Sequence, residues 1–244
     1  MRTAELNRGA ASAIAKSRAV IDWTDAAIQL DVHGCAIVGP LLSPKECRAI
    51  SDLYGSDEPF RSRIVMARHG FGSGEYKYFA YPLPSTIAKL RATLYPELAR
   101  IANRWNAQMG IKVQYPATHD EFLQRCHKAD QADAAAAAIW SWRLQLSAPG
   151  SVRRARVPAA DRHSPLRSRH QLHRRRVRAE EQRPRMQSRA EVVPLRQGEG
   201  VIFPVHHRPV QGTRGIYRVN MRHGVSRLRS GQRHTLGIIF HDAK

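Results

Sequence analysis

The residues best equipped for chemistry are His223 and Arg233, ten positions apart. A neutral imidazole is a metal ligand and, near neutral pH, a proton carrier. A guanidinium is a permanent cation whose planar fork grips a carboxylate through two N–H groups. Between them lies a polar turn, Arg229-Ser230-Gly231-Gln232, and an apolar run follows from Leu236 to Phe240. Two strands joined by that turn would carry imidazole and guanidinium into one cavity. Such a cavity suits a metal and a carboxylate that bridges it to the arginine. His234 and His241 are the alternative imidazoles of the same stretch. His206 and His207 are adjacent; neighbours on a strand point to opposite faces, so solvent or packing is their expected role.

These side chains need a scaffold to position them. From Glu191 onward the pattern is short strands separated by Gly turns: 191–195, the turn Gly198-Glu199-Gly200, then 201–203, 215–220 and 234–240. That spacing predicts a sandwich or a small barrel. The first half is mixed. Residues 4–30 read as an Ala-rich helix with Ile14, Ile21 and Ile28 at a seven-residue repeat. Residues 33–39 read as a short buried strand between glycines. Ser43-Pro44-Lys45-Glu46 combines a cap, a first-turn proline and a glutamate three after the cap, which predicts a helix to about Tyr54 with Cys47 and Ile50 inward. Residues 64–67 are a strand candidate. Residues 71–76 are Gly-rich but lack the strand-to-helix context of a phosphate loop. Tyr76, Tyr78, Phe79 and Tyr81 are expected to pack. A long helix begins at Ser85, with Ile87, Leu90, Leu94, Leu98, Ile101 and Trp105 as its apolar stripe. Pro96 is expected to kink or divide it, and Gly110 to end it.

The totals narrow the class. A chain of 244 residues with 42% apolar residues can bury a core, as one large domain or one domain with a helical extension. No apolar run approaches the ~20 residues that cross a bilayer. Residues 1–16 lack the apolar centre of a signal peptide. Cys35, Cys47 and Cys126 show no C-x-x-C spacing and read as free thiols in a reducing cytoplasm. The net charge of +20 points to a polyanionic partner.

That charge is unevenly placed. Residues 132–179 hold 11 Arg, no Lys, and only Asp133 and Asp161 against them, so +9 of the total lies there and +11 elsewhere. The segment follows no sustained period of 2.0 or 3.6 residues, and Pro149, Pro158 and Pro165 interrupt it. One reading is an Arg-rich nucleic-acid-binding insertion that orders on binding; another is a disordered linker. A third is a gene read in the wrong frame, since shifted translation of G/C-rich DNA favours Arg, Ala, Pro, Ser and His. The codons for Ala148-Pro149-Gly150-Ser151, read one base later, can encode His-Gln-Asp. Arg174-Arg175-Arg176-Val177-Arg178 shifted the same way can encode Gly-Gly-Glu-Phe. Residues 132–140 can become Pro-Thr-Pro-Leu-Leu-Leu-Arg-Tyr-Gly, and Trp142-Arg143 can supply part of Gly-Asp.

Three stretches carry a resemblance. They are Glu181-Gln182-Arg183-Pro184-Arg185-Met186-Gln187-Ser188-Arg189, then Arg208-Pro209-Val210-Gln211-Gly212-Thr213-Arg214-Gly215, and then Arg222-His223-Gly224-Val225-Ser226-Arg227 through Phe240-His241-Asp242-Ala243. With these, residues 34–127 and 181–243 resemble bacterial 2-oxoglutarate/Fe(II)-dependent oxygenases, in the group described as acting on damaged nucleic acid in the manner of AlkB-like demethylases. The resemblance implies an α+β fold with a mainly β core. This is a double-stranded β-helix, the cupin-like jelly roll, with N-terminal helices packed outside. It implies a helical extension at 1–33 and an oxygenase domain at 34–244, interrupted at 132–179. It also implies Fe(II) held by a His-x-Asp/Glu pair and a distal His. On this resemblance His223 is the distal iron ligand and Arg233 anchors the far carboxylate of the co-substrate 2-oxoglutarate. Ascorbate is an accessory reductant. The implied reaction converts 2-oxoglutarate and O2 to succinate and CO2 while hydroxylating a C–H bond; on an N-methyl group this releases formaldehyde and the repaired base. The alternatives are a prolyl-hydroxylase-type dioxygenase, which shares the His-x9-Arg arrangement, and a non-catalytic Arg-rich nucleic-acid-binding protein. The chain departs from the pattern at one point. No His-x-Asp or His-x-Glu occupies the place just before the expected Gly-Gly-Glu strand: His119-Asp120 is adjacent and lies in the N-terminal part, and Asp161-Arg162-His163 has the reverse order.

Overall fold

The computed structural model describes residues 20–65, 74–129, 137–143, 175–182, 189–225 and 232–241, with backbone alone at 138, 140–143, 175–182, 189–190, 225 and 232. The first helix, α1, is Trp23–His33; the Asp22 carboxylate accepts from the Asp25 N–H at 3.0 Å. Gly34 ends it at φ 74, in the left-handed region that glycine enters without strain. The helix thus runs past Leu30 to His33, and the strand expected at 33–39 shortens to β1, Ala36–Val38. Residues 4–19 of the expected helix lie outside the described residues.

The second helix, α2, is Pro44–Asp52 and carries the predicted capping box. The Ser43 N–H donates to Glu46 Oε2 at 2.8 Å, and the Glu46 N–H donates to Ser43 Oγ at 3.3 Å. A 3-10 turn, Leu53–Gly55, follows it. Strand β2 is Phe60–Val65, earlier than expected; residues 66–67 lie outside the described set. Strand β3 is Glu75–Phe79. Helix α3, Ser85–Gln108, is not divided by Pro96. Helix α4, His119–Lys128, is capped by Thr118, whose hydroxyl accepts from the Glu121 N–H at 3.3 Å.

The remaining strands are β4, Ala137–Arg143; β5, Arg175–Gln182; β6, Arg189–Leu195; β7, Gly200–Ile202; β8, His207–Gly212; β9, Gly215–Val225; and β10, Gln232–Ile238. Every described pairing is antiparallel. One sheet has the order β10-β4-β3-β2, a second β6-β5-β9-β8, and β1 pairs with β7. The class is therefore α+β with mainly antiparallel sheets.

Two strands correct the reading of residues 132–179. β4 lies wholly inside that segment, and β5 begins there. Ala137 and Ile139 are 0% and 1% exposed and belong to the largest core cluster, with Ile50, Tyr54, Phe79 and Ile87. Their alternation with period 2 was hidden by the alanine run around them. β8 was also unforeseen. Pro209 within it argues against a central strand, and β8 is in fact an edge of its sheet. Among the described residues, no helix is long and apolar enough to cross a membrane.

Candidate active site

Strand β10 is anchored from one side. His234, Leu236 and Ile238 alternate toward α2; Leu236 and Ile238 pack on the core cluster, and the His234 Nδ1 shares a hydrogen bond with Ser51 Oγ on α2. The Tyr54 ring lies 5.2 Å from the His234 ring. Tyr54 also donates its hydroxyl proton to Glu75 Oε1 at 2.6 Å, and Arg63 Nε donates to Glu75 Oε2 at 2.9 Å. Burial pushes the Glu75 carboxyl up, but these hydrogen bonds outweigh it and the net shift is downward. Buried Lys77 donates to the carbonyls of Tyr54 and Ser56, each at 3.1 Å, and to Asp57 Oδ1 at 2.6 Å. These bonds staple α2 and its 3-10 turn onto β3.

With His234 turned toward α2, strand alternation turns Arg233 to the opposite face. Arg233 is 6% exposed and sits in register with Trp142 of β4. Two positions along, Thr235 is in backbone register with Trp140, and Trp140 with Tyr76 of β3. Taking a guanidinium out of water is costly unless polar or anionic groups meet it, so the burial of Arg233 calls for polar company on that face.

His223 lies on β9, in the other four-stranded sheet, in register with Ala179 of β5. It alternates with Val219 and Met221, which are 1% and 5% exposed, so it ends the buried row of that strand. Its own ring is exposed on one side and rests against Phe203, centroids 4.7 Å apart. Partial burial pushes the imidazole below its ordinary value, which favours the neutral, metal-competent form. The sequence placed His223 and Arg233 on successive strands of one unit; the structure places them on two sheets, linked through residues 226–231 outside the described set.

Other imidazoles are placed elsewhere in the fold. His234 faces α2. His119 is buried at the start of α4 and donates to the Phe240 carbonyl at 2.9 Å. His119 and Glu121 do have His-x-Glu spacing, but on a helix residues two apart do not share a face. His206 and His207 correct an expectation: their rings meet edge to face at 3.7 Å, because His206 lies in the bend before β8 rather than on the strand. Among the described residues, no group of three or more His, Cys, Asp or Glu could hold a metal.

Two buried arginines were not foreseen. Arg208 of β8, 1% exposed, donates to the Asp31 carbonyl at 2.8 Å and so meets the negative end of α1. Arg91 of α3 donates to the carbonyls of Ile239, Phe240 and His241 at 2.8, 3.1 and 3.3 Å, and to the Tyr81 hydroxyl at 2.9 Å. It fixes the chain as it leaves β10. Arg91 stands four residues after Ile87 on the apolar stripe, which is the one signal of its burial in the sequence.

Residues 74–141 and 177–243 match the model of a family described as an oxygenase catalysing oxidative methylation of damaged DNA. The chain belongs to this oxygenase family. Both β10, with Arg233, and β9, with His223, fall inside the match. Two uncharacterized proteins of Mycobacterium tuberculosis, MT2286 of strain CDC 1551 / Oshkosh and Rv2227 of strain ATCC 25618 / H37Rv, are each 35% identical over 176 residues, covering 68% of this chain and 72% of the relative. No solved structure matches the chain significantly. As an oxygenase of this family the chain is an enzyme by descent, and the family description makes damaged DNA its substrate class.

Proposed function

We propose that this oxygenase is built on the plan of a 2-oxoglutarate- and Fe(II)-dependent dioxygenase that oxidises alkylated bases in DNA, with a double-stranded β-helix as its core. The two four-stranded antiparallel sheets support the jelly-roll part of the reading. The observation that carries it is Arg233: a guanidinium buried on the sheet face opposite α2, on the strand that follows the one bearing a neutral imidazole. A dicarboxylate co-substrate needs such a group to grip the carboxylate far from the metal.

The side chains present do not fit iron. His223 is one suitable ligand, its register neighbour is Ala179, and no group of three His, Cys, Asp or Glu among the described residues could hold a metal. A facial triad needs two histidines and a carboxylate. As written, the chain would retain the co-substrate anchor and lack most of the metal site. What the described residues can do is narrower: Arg233 could bind and orient a carboxylate, and His223 offers a neutral nitrogen beside Phe203 on β9. Cytoplasmic location, O2 as oxidant and ascorbate as reductant belong to the same proposal.

Succinate release from 2-oxoglutarate tests the reading, using protein whose metal ligands are complete. A methylated oligonucleotide should stimulate release and a proline peptide should not. Stimulation by the peptide alone would shift the assignment to prolyl hydroxylation. Iron-loaded protein that releases succinate with neither would sink the dioxygenase reading.

A further inference from the structure

The missing metal donors and the odd composition coincide in one place. The family match stops at residue 141 and resumes at 177. The 35 residues between hold ten Arg, no Lys, no Glu and one Asp, Asp161. On both flanks the chain as written pairs into the sheets: residues 137–141 with β10 and β3, and residues 177–182 with β6 and β9. So the sequence is in family on either side of a stretch that is not.

We infer that residues 142–176, to within a few codons, are translated one base out of frame, and that two compensating single-base changes in the gene bound them. A displaced frame replaces every residue between the two changes and none outside them. The family match leaves one such gap, at 142–176. An inserted basic module would leave the same gap, but the frame one base later would not then spell the family's residues. The direction of the shift is also constrained. Ala148-Pro149-Gly150-Ser151 has codons GCN CCN GGN followed by T or A. Read one base later these become CNC CNG GNT or CNC CNG GNA, which contain CAC, CAG and GAT: His-Gln-Asp. Trp142-Arg143 becomes GGC followed by GN, which opens as glycine and then the first two bases of an aspartate or glutamate codon. Near the other end, with CGN codons for arginine, residues 174–177 and the first base of codon 178 become GNC GNC GNG TNC, which can spell Gly-Gly-Glu-Phe. That reading closes beside the point where the match resumes.

The bounds are tighter than composition alone suggested. Residues 132–141 need no re-reading, because the match reaches 141 as written and Ala137 and Ile139 fill the core with their written side chains. The inference rests on the oxygenase reading only for the meaning of His-Gln-Asp as a metal pair. The boundaries come from the family match and the composition.

Sequencing the coding DNA across codons 132–182 tests it. Between about codon 142 and codon 177, the frame one base later should stay open and should spell His-x-Asp at codons 148–151. A stop codon in that frame, or any other residues there, would overturn the inference. This result is independent of catalysis: a gene can carry the displaced frame whether or not the restored enzyme proves to use 2-oxoglutarate.

Discussion

Arg233 and His234 are neighbours on β10 whose side chains leave the strand on opposite faces. His234 is held against α2 by Ser51, and Arg233 is buried on the other side. The core contact of one residue therefore aims the other. In protein with the frame restored, Arg233→Leu should weaken 2-oxoglutarate about 100-fold, near the cost of leaving a carboxylate without its charged partner. Arg233→Lys should recover part of that, since it keeps the charge and loses the fork. Calorimetric titration with 2-oxoglutarate measures both. Equal affinity in Arg233→Leu and the parent would remove Arg233 from the site.

His223 makes a prediction about pH. Its unfolded value is near 6.5 and its folded value is lower, because partial burial disfavours the charged ring. Between the two values the unfolded chain holds a proton that the folded chain does not. The contribution to stability is whole above about 6.5 and is lost as pH falls through the folded value. His207 is shifted in the same direction, by burial and by the neighbouring His206 and Arg218 charges, so the parent alone cannot separate them. Urea midpoints of the parent should fall more steeply than those of His223→Gln as pH drops from about 7 to about 5. Parallel slopes would mean that His223 titrates alike in both states.

Arg91 tests how the end of β10 is held. Arg91→Met keeps much of the buried stem and removes donors to three carbonyls and to Tyr81. The expected loss is about 2–4 kcal/mol of unfolding free energy, because buried carbonyls would lose charged donors. Chemical denaturation reads it. A loss well under about 1 kcal/mol would show that water replaces the guanidinium there.

The outward face of β9 bears on DNA binding. Arg218 and Arg222 alternate with the buried Val219 and Met221, and both are exposed. On the expectation that phosphates contact this face, the double variant Arg218→Glu, Arg222→Glu should weaken oligonucleotide binding. It should also flatten the dependence of log affinity on log salt by roughly 1 to 2 for single strands. Fluorescence anisotropy over a salt series decides it, and an unchanged slope would move the DNA contacts elsewhere.

Much of this architecture was legible because its signals are local. Ser43 and Glu46 announced α2, and Gly110 marked the end of α3. The apolar run from Leu236 announced β10, two residues late at each end. The rest depends on partners far along the chain. Nothing near Arg91 in sequence says that it will meet residues 239–241, and nothing near Arg208 points to Asp31. β4 was hidden because alanine satisfies every period, and β8 because Pro209 is tolerated only at an edge. His223 and Arg233 stood out by residue type and spacing, and the structure places both on strands, with Arg233 buried. That they stand on separate sheets could not be read from ten positions of sequence.

Iron binding compares the chain as written with the same chain re-read one base later between about codons 142 and 177. Fe(II) uptake under anaerobic conditions, counted as metal per folded chain, should be a trace in the first and one equivalent in the second. Stoichiometric iron in the chain as written would contradict the loss of the metal site. A folded, re-read chain that binds none would contradict the dioxygenase plan itself.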